Sequence, residues 1–245
     1  MGKAKENQSK LTDCLHSDNV VQKSRPLQTL WRAKLGLGEL KVLDVYLSRI
    51  DSHNPNKRKI TFSKEEFEDL LGVKRVHPKM LEKYTDTLMD QKVLLEDERY
   101  AGGFHKIVLF CESGCYCDKE TGKWMVEMSC SPEAMEYVFN IEALGYLRYK
   151  LKNVLQLTSK YSYFMFLYLT QNAFRSTWEI SIDELRQILS CEDELYKEYK
   201  YFNQRILKQC LQEVNDKTDI QYEYTPVRNG RCVDKIKFSI HSTLK

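Results

Sequence analysis

Residues 199–215, YKYFNQRILKQCLQEVN, hold the densest set of groups able to read a nucleic acid. Wound as a helix, the stretch places Tyr199, Phe202, Ile206, Cys210 and Val214 on one face, at the spacing of a core-facing stripe. The opposite face carries Tyr201, Gln204, Arg205, Lys208 and Gln212. Lys197 continues it one turn upstream, Lys200 adds a further cation, and no carboxylate interrupts its middle. Arginine can grip a guanine edge through two hydrogen bonds, and glutamine an adenine edge. Lysine and tyrosine serve on phosphate. Arg228 and Arg231 flank an Asn229-Gly230 turn signal and would reach a neighbouring phosphate or the minor groove. Lys160 would hold the backbone from the start of another helix. A second cluster, Lys74, Arg75, His77, Lys79 and Lys83, is offset by Asp86, Asp90, Glu96, Asp97 and Glu98. It reads as a weaker DNA contact with a part in dimerisation.

Two other chemistries compete for attention. Cys111, Cys115, Cys117 and Cys130 lie within 21 residues, and four thiolates would satisfy a structural zinc. Their Cys-x-x-x-Cys-x-Cys start departs from paired Cys-x-x-Cys knuckles, and the plainer reading is small, half-buried residues that bind nothing. A strand-nicking enzyme would need a His-x-His metal site and a nucleophilic tyrosine. The five histidines, His16, His53, His77, His105 and His241, form no such pair. There is no Gly-x-x-x-x-Gly-Lys phosphate loop either. The expectation is a protein that is not an enzyme and carries no cofactor.

The elements that must position these residues occur twice. SKEEFEDLLG (63–72) and SIDELRQILS (181–190) each begin with Ser and place Glu three residues later, a capping box at the start of a helix. Each is preceded by an apolar helix (38–50 and 159–172) and a short β-like stretch (59–63 and 178–182). Each is followed by another helix, the first beginning near Pro78 and the second running from about Tyr196 to Asn215. A strand–turn–strand pattern closes each half: 92–110 with Gly102-Gly103 at its tip, and 219–240. Helix, turn, helix and hairpin make a winged helix. The predicted fold is α+β, two tandem winged-helix domains. A leader over 1–19 is expected to be disordered. The first domain spans 20–135, a helical connector 136–158, and the second domain, the main DNA reader, 159–245.

The chain has 245 residues and a net charge of only +3, so its charge alone announces no nucleic-acid partner. No apolar run reaches 18 residues, and residues 1–19 lack the apolar centre of an export signal. The expectation is a cytoplasmic protein with reduced thiols and no membrane contact.

The second half resembles the initiator Rep proteins of plasmids that replicate from tandem repeats, or iterons. The likeness is carried by LKNVLQLTSKYSYFMFLYL (151–169), ISIDELRQIL (180–189), YKYFNQRILKQCLQEVNDKTDIQYEY (199–224) and GRCVDKIKFSI (230–240). The first half is similar through 20–50 and 59–90, and the cysteine-rich 111–130 segment departs from the pattern. The resemblance implies double-stranded origin DNA as partner, opening of the duplex, recruitment of the host helicase or initiator proteins, and a homodimer that represses its own promoter. It carries Arg205 over as the leading contact, with Lys208 and Gln204 beside it. The alternatives are a winged-helix transcription regulator without a replication role, and a protein–protein module that binds no DNA.

Overall fold

A computed structural model describes residues 18–28, 35–90, 92–95, 102–191 and 193–243. The chain divides into two units, 1–155 and 156–245. The leader therefore lies outside the described residues, apart from positions 18 and 19, and so do Glu96, Asp97 and Glu98.

In the first unit, β1 (Val20–Ser24) is followed by α1 (Leu37–Arg49), β2 (Lys59–Ser63), α2 (Lys64–Leu71) and α3 (Pro78–Asp90). The capping box is complete: the Ser63 side chain accepts from the Glu66 N–H, and the Ser63 N–H donates to the Glu66 carboxylate. Gly72, at φ +63°, ends α2 in the left-handed conformation that glycine adopts without steric cost. Glu68 then accepts the Val76 N–H, lashing the turn between α2 and α3. That bond, with Lys64 beside it, holds the Glu68 carboxyl below its ordinary pKa.

The strands after α3 correct the expected wing. Among the described residues β3 (Lys92–Leu95) and β4 (His105–Val108) pair only with each other, whereas β5 (Phe110–Cys117) and β6 (Trp124–Cys130) join β2 in the order β2-β6-β5. The wing of the first unit is therefore the cysteine-bearing hairpin 110–130, and 92–108 is an extra ribbon inserted before it. Ile60 faces Met128 and Phe62 faces Val126 across this sheet. All four are buried beside Phe67.

The expected helical connector is also corrected. β7 (Tyr146–Lys150) pairs antiparallel with β1, Val21 opposite Tyr149 and Lys23 opposite Leu147, and residues up to 155 belong to the first unit. This ribbon is fastened to α1 by a buried ion pair. Lys23 Nζ lies 2.6 Å from Asp44 Oδ1, with both side chains at or below 1% exposure. The Tyr149 hydroxyl donates to the same carboxylate at 3.0 Å.

The second unit repeats the plan without the extra ribbon. Ser159 caps α4 (Lys160–Asn172), β8 (Thr177–Ser181) leads into α5 (Ile182–Ile188), and the Ser181 side chain accepts from the Glu184 N–H. After a 3-10 turn at Glu194–Lys197 comes one unbroken long helix. It consists of α6 (Tyr199–Phe202), a π-helical turn (Asn203–Leu207) and α7 (Lys208–Lys217). β9 (Ile220–Asn229) and β10 (Cys232–Thr243) complete a sheet of order β8-β10-β9. This matches β2-β6-β5 strand for strand. Trp178 stacks on Phe238 with ring centroids 5.4 Å apart, and the Trp178 indole donates to the Tyr168 hydroxyl.

Glu213 locks the long helix in place. Its Oε1 accepts from the Thr158 backbone N–H and hydroxyl, the latter at 2.6 Å, and from Lys217 Nζ at 2.9 Å. Burial alone would raise its pKa. Hydrogen bonds from Thr158 and Lys217, with the Ser162 hydroxyl close by, overcome that and lower it from 4.5 to about 2. A depressed carboxylate contributes its full stability above its unfolded pKa and loses it as pH falls through the folded one. The second unit is thus expected to lose roughly 3 kcal/mol between about pH 4.5 and pH 2. Glu213→Gln should flatten that part of an acid-unfolding profile. An unchanged acid limb would count against this role.

Candidate nucleic-acid interface

In the second unit the long helix stands where a helix-turn-helix presents its reading helix, after α5 and a turn, with the β9–β10 hairpin beside it. Phe202, Ile206, Leu207, Cys210 and Val214 are buried, while Lys200, Gln204, Arg205, Lys208, Gln209 and Gln212 are exposed. Tyr201 is half-buried, its ring 6.0 Å from the Arg205 guanidinium and 5.8 Å from Lys200 Nζ. Lys197 does not continue the helix: the helix begins at Tyr199, and Lys197 sits exposed in the preceding 3-10 turn, paired with Glu194 at 2.6 Å. Lys160 is half-exposed at the start of α4, 5.9 Å from the Tyr161 ring.

Arg228 and Arg231 are exposed at the hairpin tip. Asn229 pairs with Cys232, leaving Gly230-Arg231 as a two-residue loop with Gly230 at φ +61°. The positive φ at the first loop residue is what a hairpin turn that follows the strand twist requires. The two arginines line a cleft of about 410 Å³ with Lys197, Tyr199, Asp183 and Arg186. Arg186 is not among the contacts expected from the sequence. It pairs with Asp183 at 3.0 Å, donates to the Lys197 carbonyl, and lies 5.2 Å from the Phe202 ring. It thus ties α5 to the turn that launches the long helix. The one sequence signal was its position three residues after Asp183, an ion-pair spacing on a helix.

In the first unit Lys74, Arg75 and His77 are exposed in the turn, and Lys79 and Lys83 on α3. Glu82, Asp86 and Asp90 are exposed along the same helix. The structure therefore gathers this basic cluster at one end of α3, beside an acidic run that the long helix of the second unit lacks.

The cysteines do not converge. Cys111 falls at an irregularity in the β5–β6 pairing, between Phe110 and Glu112. Its thiol donates to the Cys130 carbonyl at 3.4 Å, and the Cys117 thiol to the Gly122 carbonyl at 3.5 Å. Four residues of strand put Cys111 and Cys115 about 13 Å apart, too far to share an ion held by bonds of about 2.3 Å. Among the described residues, which include all four, no group of three or more metal-ligating side chains gathers at one point. Nor is any described helix long and apolar enough to cross a membrane.

Two sheets of one topology, each preceded by a helix-turn-helix, define a tandem winged-helix protein. Comparison with family models narrows this. The model for the initiator replication protein, WH1, matches residues 20–170, and that for the initiator Rep protein, WH2, matches residues 181–240. The chain belongs to the family of initiator Rep proteins. Among solved structures it is similar to the Pi initiator protein in complex with iteron DNA, at 18% identity and a TM-score of 0.76 over 92% of this chain and 98% of that one. It is also similar to domains 2 and 3 of RctB, at 12% identity and a TM-score of 0.52 over 91% and 86%. At these identities the likeness is one of fold. The comparison with curated sequences yields no match.

Proposed function

We propose that this protein is a plasmid replication initiator that binds tandem repeats at its origin without catalysing a reaction. The observation that carries the reading is the exposed Lys200–Gln212 face of the long helix, free of carboxylates and placed beside a hairpin tipped by two arginines. In this reading the second unit is the main reader. The first contributes fewer contacts through Lys74, Arg75, Lys79 and Lys83, because the acidic run on α3 repels phosphate. Family membership and the resemblance to an initiator solved with iteron DNA support the choice of target. Opening of the duplex, recruitment of host replication proteins and repression by a dimer complete the proposed role, in a cytoplasmic protein. The domain plan within this proposal is a leader over 1–19, a first winged helix that runs on to residue 155, and a second from 156.

Titrating the purified protein with duplex from beside its own gene, against a scrambled duplex, tests the proposal. Complexes should add stepwise at tandem repeats, and log K should fall linearly with log salt. Specific binding to a single inverted repeat would replace the initiator by a regulator. Equal, weak binding to both duplexes would remove DNA reading altogether.

A further inference from the structure

The long helix carries a π turn at Asn203–Leu207, and that turn decides which way the residues beyond it face. The Lys208 N–H donates to the Asn203 carbonyl, five residues back rather than four. The turn holds one extra residue and sets everything beyond it back by about 100°. On an unbroken α-helix the exposed residues Lys200, Gln204, Arg205, Lys208, Gln209 and Gln212 would spread over about 180°. With the π turn they fall within about 120°. A stripe of that width can face the edges of successive bases from within a major groove about 12 Å wide. The outermost residues of a half-cylinder would lie toward the groove walls and their phosphates instead.

The turn has a visible fastening. The Tyr224 hydroxyl on β9 donates to Asn203 Oδ1 at 2.6 Å, at the first residue of the π segment. Tyr224 stands opposite Phe238 in the β9–β10 sheet, so the fastening is anchored in the core of the unit.

We propose that the π turn sets the register of base reading: it makes Gln209 a specificity-determining residue in line with Gln204, Arg205, Lys208 and Gln212, and Tyr224 the positioning residue that holds the turn. The inference rests on the reading of the long helix as the DNA-contacting element. Glutamine 209 would present its amide to an adenine edge, accepting from N6 and donating to N7.

The test is selection of a preferred sequence from a random duplex library by the wild-type full chain, followed by a panel of that sequence with each base pair replaced in turn. Gln209→Ala should cut the preference at one base pair about tenfold, a loss of one bidentate contact, with the salt slope unchanged because no charge is removed. Tyr224→Phe should weaken preference at several base pairs together, again with the slope unchanged, a pattern that mere loss of folded protein does not give. Asn203→Ala should reproduce it from the other side of the bond. If Arg205→Ala loses discrimination while Gln209→Ala keeps it at every base pair, the aligned stripe is wrong though DNA reading stands. If Gln209→Ala behaves as expected and both Tyr224→Phe and Asn203→Ala leave the panel unchanged, the positioning role falls. If the wild-type chain selects no sequence, DNA reading fails and the register falls with it.

Discussion

Arg205→Ala is expected to lower discrimination between cognate and scrambled duplex by about 1–3 kcal/mol, roughly 5- to 150-fold, while leaving the folded state nearly unchanged. Arg205 is exposed, and among the described residues no carboxylate pairs with it. Its ring neighbour Tyr201 orients the guanidinium without consuming its donors. Truncation therefore removes ligand contacts more than protein contacts, and exposed substitutions of this kind usually stay within about 0.5 kcal/mol of stability. Competition titrations at two salt concentrations separate the two modes of contact. Loss at one base pair with little change for scrambled DNA indicates base reading. Equal weakening on both duplexes, with the log–log slope reduced by about 0.9, indicates phosphate contact. Arg205→Lys sharpens the distinction, because it keeps the charge and loses the planar fork. Unchanged binding in both variants would remove Arg205 from the interface.

The second large effect concerns stability. Asp44→Ala should destabilise the first unit by about 3–5 kcal/mol, since it leaves Lys23 charged in a site with almost no solvent. Against a typical total of about 5–15 kcal/mol, that is a severe loss. It should appear in amide exchange as early opening of 20–24 and 146–150 under mild urea, before the second unit responds. Tyr149→Phe removes one hydrogen bond to the same carboxylate and should cost about 1 kcal/mol. Lys23→Met combined with Asp44→Leu should recover most of the loss, because a buried pair is often no more stabilising than apolar residues of similar volume. If Asp44→Ala behaves like an exposed substitution, the ion pair does not fasten the ribbon.

The parts legible in the sequence were those written in local pattern. The serines at 63 and 181 announce their helices, because a cap is a contact between residues three apart. The second wing was legible because the alternation of Ile236 and Phe238 and an Asn-Gly pair are both short-range signals. The first wing was misplaced because two hairpins compete for it. The 92–110 segment carries the plainer turn, and only β2, some sixty residues upstream of β6, decides between them. The β1–β7 ribbon was illegible for the same reason: Val20 meets Lys150, and neither segment looks unusual alone. Within the site, Arg205, Gln204 and Lys208 were found from the helical wheel. Gln209 was not, since the one extra residue inserted by the π turn leaves no mark on the apolar spacing.

The β1–β7 pairing bears on how the chain is made. A strand at residues 20–24 has its partner at 146–150, so on a translating ribosome it emerges long before anything can cover it. At about 5–20 residues per second, that interval is on the order of ten seconds. During it Lys23 and Asp44 are both in water, and the pair need not be desolvated until β7 arrives. Completion of the first unit is thereby tied to the synthesis of its last strand. A nascent chain halted before residue 146 would keep an open strand edge and would be a natural client for chaperones.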